Sequence, residues 1–143
     1  MQIRDIMTPH VEVVDPKATL QTAAQKMKSL NVGSLPVCDG DQLLGMITDR
    51  DITIRAIAAG KNPRETAVAD TMTTDLCYCY EDQYVNEAAQ LMQNEQIRRL
   101  PILNRQKKLV GIVSMADLAV DGGNKQVAGR TITEISEPAQ PER

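Results

Sequence analysis

With 143 residues, 16 basic and 19 acidic side chains and a formal charge of −3, the chain has no global electrostatic attraction for nucleic acid or an anionic membrane. It has no Trp, no Phe and three Tyr, so bases would find no aromatic stacking platform. No apolar run is long enough for a membrane span or secretion signal, and a cytoplasmic protein with neither nucleic-acid nor membrane partners is expected.

In chain order, DIMTP (Asp5–Pro9) leads into a short extended stretch at Val11–Val14. A helix is predicted next, with Leu20, Ala23, Ala24 and Met27 as a narrow core-facing stripe. LPVCDGDQLLGMI reads as two strands around a turn at Asp39 and Gly40. A second helix follows Thr48 and runs to about Ala59, stopped by Gly60 and Pro63.

The same unit is then written again. DTMTT (Asp70–Thr74) answers DIMTP, and Val85, Ala88, Ala89 and Met92 answer the helical stripe. Leu100, Pro101 and Ile102 answer Leu35, Pro36 and Val37. One extra residue falls in the polar NRQKK segment, where a turn tolerates insertion, and Gly111, Ser114 and Asp117 answer Gly45, Thr48 and Asp51. The second copy has its extended stretch at Leu76–Tyr80 and ends its last helix near Asp121–Gly123.

The predicted organisation is residues 1–60, a linker at 61–68, residues 69–122, and an extension at 123–143, with its end from Ser136 expected to be disordered. Neither unit of about 60 residues buries enough surface alone, so the two are expected to pack with approximate twofold symmetry around a cleft.

GMITDRDI and GIVSMADL each place Thr or Ser three residues ahead of Asp. That spacing makes a capping box, the hydroxyl accepting from one backbone N–H and the carboxylate from another. It equally suits a ligand: a glycine admits close approach to the backbone, the helix start favours an anion, and the carboxylate accepts from a ribose diol. Both readings stand on sequence.

QIRRLPI adds Arg98 and Arg99, a pair suited to phosphate or simply to solvent. The first copy has Gly33 and Ser34 there, so the repeats are chemically unequal. His10 is the only histidine and no nucleophile has a recognisable base beside it, so a non-enzyme is expected. Cys38, Cys77 and Cys79 make an odd count, which fits reduced, buried thiols better than a disulfide framework. With His10 they could in principle supply four zinc ligands, and a thiol or metal switch through the three cysteines is a further alternative.

Taken together, MT, the small-residue helix, VGSLPV or IRRLPI, and GxxTxxD or GxxSxxD resemble the cystathionine beta-synthase (CBS) domain in tandem. DRDITIRAIAAGKNP is similar to small stand-alone bacterial tandem-CBS proteins of the hypoxic response protein type. The resemblance implies an α+β fold, two motifs each of a small sheet with two helices, forming a Bateman module. It also implies AMP, ADP or ATP as regulatory ligand and no required cofactor, with assembly as a homodimer and transmission to a regulated protein.

On this resemblance Asp51 and Asp117 hold ribose while Thr48 and Ser114 face phosphate. Val11, Val32 and Ile112 line adenine beside Asp117, and Leu76, Ile97 and Met46 beside Asp51. Arg98 and Arg99 match the family's basic pair in the second copy only, whereas the first has Arg50 just before its Asp. A ligand-independent dimerising module is the alternative, with the Thr/Ser–Asp pairs serving only as caps.

Overall fold

The structure, a computed structural model, describes residues 1–120. The extension predicted at 123–143 and the end of the last helix near Asp121–Gly123 lie outside the described residues.

The chain divides into two compact units that cut across the sequence repeats. One, the first-repeat unit, is Glu12–Leu76; the other, the second-repeat unit, joins Met1–Val11 to the chain from Cys77 onward. Each copy's leading segment is thus built into the unit formed by the other copy.

In the second-repeat unit, a 3-10 turn (Ile3–Asp5) and β1 (Thr8–Pro9) come from the N-terminus. β4 (Cys79–Tyr80), α3 (Val85–Glu95), β5 (Arg99–Leu103), β6 (Leu109–Ser114) and α4 (Met115–Val120) complete it. The sheet order is β1-β6-β5-β4, with β5 antiparallel to β6 and parallel to β4. Its core gathers Ile3, Ile6, Ala88, Ala89, Met92, Leu100, Ile102, Val113 and Leu118.

The first-repeat unit has α1 (Leu20–Leu30), β2 (Ser34–Asp39) and β3 (Gln42–Thr48). α2 (Asp49–Asp51) continues into a π-helical stretch at Ile52–Ile57, and a second 3-10 turn forms at Val68–Asp70. β2 and β3 pair antiparallel, flanked by single bridges from Val14 to Val37 and from Thr73 to Met46. The expected strand at Val11–Val14 is therefore reduced to one bridging residue, and that at Leu76–Tyr80 to Cys79–Tyr80.

Local chemistry fixes the helix ends. Thr19 Oγ1 accepts from Thr22 N–H at 3.2 Å at the start of α1, and Glu87 Oε2 accepts from Tyr84 N–H at 2.7 Å at the start of α3. Asn31 and Gln96 end these helices in the left-handed conformation, and Val32 and Ile97 donate back to the carbonyls of Met27 and Met92 at 3.0 and 3.1 Å.

The segment predicted as a linker is bonded into its unit. Thr66 and Pro63 carbonyls each accept at 3.0 Å from the Leu20 and Gln21 N–H groups, while Val68 is fully buried. Ala24, predicted for the core stripe, is exposed, whereas its counterpart Ala89 is buried. Leu118, Met115 and Ala119 of α4 belong to the core that covers Ala89.

Candidate functional site

Both Thr/Ser–Asp pairs form complete capping boxes. Thr48 Oγ1 accepts from Asp51 N–H at 3.0 Å and Asp51 Oδ2 from Thr48 N–H at 3.1 Å. Ser114 Oγ accepts from Asp117 N–H at 3.2 Å and Asp117 Oδ2 from Ser114 N–H at 2.8 Å. The structural reading of the spacing is realised in each copy. A box occupies one carboxylate oxygen and leaves the other for a second partner.

The second oxygens differ. Asp51 Oδ1 lies 3.7 Å from Arg55 Nε, and Arg55 Nη1 also reaches the carbonyls of Thr71 and Met72 at 3.5 and 3.4 Å. Asp117 has no ion pair among the described residues.

The strand glycines serve a purpose other than the expected ligand approach. A Cβ on Gly45 would lie 2.7 Å from the Thr73 carbonyl oxygen and 2.8 Å from Met72 Sδ. A Cβ on Gly111 would lie 2.6 Å from Met7 Sδ and 2.9 Å from the Thr8 oxygen. What approaches the backbone is the leading segment of the other repeat, so these glycines let DIMTP and DTMTT seat on β6 and β3.

Of the predicted ligand residues, the second-repeat unit holds Val11, Ile97, Arg98, Arg99, Ile112, Ser114 and Asp117. Arg99 stands opposite Ser114 in the β5–β6 register, and the Arg98 carbonyl accepts from Met115 N–H at 3.1 Å, bringing basic pair and capping box together. Both arginines are exposed and form no salt bridge among the described residues. Ile112 is buried opposite Thr8, three residues before Val11.

The first-repeat unit holds Val32, Gly33, Met46, Thr48, Arg50, Asp51 and Leu76. Ser34 pairs with Thr48, and the Gly33 carbonyl accepts from Asp49 N–H at 2.9 Å. Met46 bridges to Thr73, three residues before Leu76, and Arg50 is exposed. Val32 lies in the other unit from Asp117, and Ile97 in the other unit from Asp51.

Sequence reasoning missed Asp49 and Arg55. Asp49 stands where the second copy has Met115, a charge difference visible in the aligned repeats. Arg55 lies four residues after Asp51, the spacing of an ion pair on one helical face.

Burial pushes the Cys38 thiol up to about 11, helped by the Asp41 carboxylate. Burial raises Cys79 likewise to about 11, with Glu87 and Cys77 adding to it. Among the described residues no three His, Cys, Asp or Glu side chains gather as a metal site. No helix among the described residues is long and apolar enough to cross a membrane.

Paired capping boxes on a duplicated strand-strand-helix frame define a tandem module of two like motifs. The CBS domain profile matches residues 3–56 and 68–120, and the chain belongs to the CBS domain family as a CBS pair. It is 44% identical over 134 residues to the CBS domain-containing protein YhcV of Bacillus subtilis, covering 94% of each chain.

Among solved structures it is similar to Hypoxic Response Protein I, crystallised with two coordinated zinc ions. The identity is 38% and the TM-score 0.77, over 83% of this chain and 97% of that one. It is also similar to CBSX2 in complex with AMP, at 25% identity and a TM-score of 0.73, over 85% of this chain and 95% of that one. CBS pairs are regulatory ligand-binding modules.

Proposed function

We propose that this protein is a non-catalytic sensor that binds an adenosine-containing nucleotide of the AMP, ADP or ATP class and passes its occupancy to a partner protein. The second-repeat motif is the nucleotide's main site. Asp117 accepts from the ribose hydroxyls with the oxygen its capping box leaves over, and Arg98 and Arg99 take the phosphate with Ser114 beside them. The observation that carries this reading is the register of Arg99 opposite Ser114, which sets an exposed basic pair next to the capped carboxylate.

The CBSX2 complex supports AMP as the first ligand to try. Calorimetry with AMP and adenosine tests it. Arg99→Ala is expected to weaken AMP by about 1.5–3 kcal/mol, the range for a hydrogen bond to a charged group, and to leave adenosine nearly unchanged. Equal losses for both would withdraw Arg99 from the phosphate.

The second reading, a dimerising module that needs no ligand, draws on Ile54 and Ile57, which are 52% and 51% exposed on the π-helical stretch, with Leu30 exposed on α1. We take the homodimer as part of the sensor, since an unpartnered apolar face suits closed twofold assembly. Light scattering giving 15.7 kDa at micromolar concentration would remove the dimer. Unchanged melting across AMP, ADP and ATP would leave only the dimerising module.

A further inference from the structure

In the first-repeat unit the position answering Arg98 is Gly33, and the space its missing side chain leaves is occupied by a carboxylate. Asp49 Oδ2 lies 3.1 Å from where a Gly33 Cβ would stand, with Oδ1 at 3.6 Å. One hydrogen bond holds the Asp49 backbone there and another its carboxylate. The Asp49 N–H donates to the Gly33 carbonyl at 2.9 Å, and Asp49 Oδ1 accepts from Arg50 N–H at 2.8 Å. Where the second-repeat motif sets a guanidinium, the first sets a negative charge.

Asp49 forms no ion pair among the described residues. Arg50 follows it by one residue, about 100° round a helix of 3.6 residues per turn, and so does not share its face. Arg55 is already committed to Asp51 and to the Thr71 and Met72 carbonyls.

We infer that Asp49 makes the first-repeat motif selective against phosphate, so that it takes an adenosine whose 5′ substituent carries no negative charge while the second-repeat motif takes the nucleotide. This rests on the adenosine reading above. The physical cause is like-charge repulsion over a few ångströms at a surface, where salt screens only part of the interaction. The two motifs would then report different ligands, and the chain would read a phosphorylated against an unphosphorylated nucleoside.

Calorimetry on the full chain tests this with adenosine and AMP as probes, on wild type, on Arg99→Ala, which weakens the second-repeat motif, and on Asp49→Asn and Asp49→Met each added to Arg99→Ala and compared with it. Wild type is expected to bind two adenosines but one AMP tightly. Either Asp49 change is expected to strengthen AMP at the remaining site about tenfold and leave adenosine within twofold. Asp49→Met places the second copy's own residue there, so an effect shared by both variants belongs to the lost charge.

Two equal AMP sites in wild type, or an Asp49 change that moves AMP and adenosine alike or moves neither, would overturn the selectivity while leaving the Arg99-dependent site standing. Failure of every adenosine compound to bind wild type would overturn the adenosine reading, and the selectivity with it.

Discussion

The two units are two versions of one frame, and they differ most at the strand mouth beside the capping box. In the second-repeat unit Arg98 and Arg99 flank Ser114, and Asp117 has one carboxylate oxygen outside its box. In the first-repeat unit Gly33 and Ser34 flank Thr48, Asp49 fills the space, and Asp51 is drawn to Arg55. The Thr/Ser–Asp capping boxes, αL helix ends and strand glycines are the same in both. Duplication has kept what the backbone needs and changed the charges at the strand mouth.

The thiols make the sharpest test of what is shared. Cys38 answers Leu103 and Cys79 answers Val14, so each sulfur sits at a core position. With both thiols held at about 11 against an ordinary value of 9.0, alkylation at pH 8 is expected to run at least a hundredfold slower than for a denatured control. The unfolded chain releases these protons from about pH 9 and the folded chain only near 11. Stability from the neutral thiols is therefore full below pH 9 and lost as pH rises through 11. Rapid labelling of either thiol in the native protein would break the comparison.

Next in size come the glycines that seat the donated segments. Gly45→Ala is expected to cost more than Gly111→Ala, both within about 1–3 kcal/mol of overpacking. The nearest atom at Gly45 is a backbone carbonyl oxygen at 2.7 Å, whereas at Gly111 it is Sδ of the flexible Met7 side chain, with the backbone oxygen of Thr8 farther off at 2.9 Å. Denaturant melts give the order. A cost under about 0.5 kcal/mol at both would mean the leading segments are not tightly seated on β6 and β3.

A smaller effect, of opposite sign, is expected at Thr71. It is 1% exposed and its Oγ1 has no hydrogen-bond partner among the described residues, while the first repeat has the apolar Ile6 at the matching position. Thr71→Val keeps the shape and removes the orphan hydroxyl, and is expected to stabilise the protein by about 1 kcal/mol. A loss on melting would assign the hydroxyl a water partner.

Much of this was legible in sequence because duplication prints each structural requirement twice. The helical stripe, the hairpins, both capping boxes and the inequality of Arg98–Arg99 with Gly33–Ser34 follow from aligning the copies. The exchange of leading segments did not, because nothing local in DIMTP or DTMTT says which sheet it joins. That choice is made by Ile3, Ile6 and Val68 burying their side chains in long-range contacts. On sequence the glycines read as room for a ligand, whereas the neighbour requiring room is the chain itself. Periodicity puts Ala24 on the core face but does not say what covers it, and here it is exposed.

The smallest expected effect lies at the hairpin tip that only one unit has pinned. Arg105 donates to both Asp82 oxygens, from Nε at 2.9 Å and Nη2 at 2.8 Å, and stacks 4.2 Å over the Tyr80 ring. Tyr80 in turn meets Tyr78 edge to face at 5.6 Å. The first repeat has Lys17 and Gly40 in place of Asp82 and Arg105, so its hairpin lacks the clasp. All of this is at the surface, where an ion pair is screened by salt and adds little to stability. Titration is the better readout. Hydrogen bonding to Arg105, with its charge and that of Arg4 behind it, holds the Asp82 carboxyl below the usual carboxylate range. The contribution is therefore present at neutral pH and lost only as acid reaches that lowered value. Arg105→Ala is expected to return Asp82 towards its ordinary value in an NMR titration, with high salt moving wild type the same way, while nucleotide binding at Arg98 and Arg99 stays unchanged. An Asp82 that titrates identically with and without Arg105 would mean the clasp is open in solution, leaving the two hairpin tips alike.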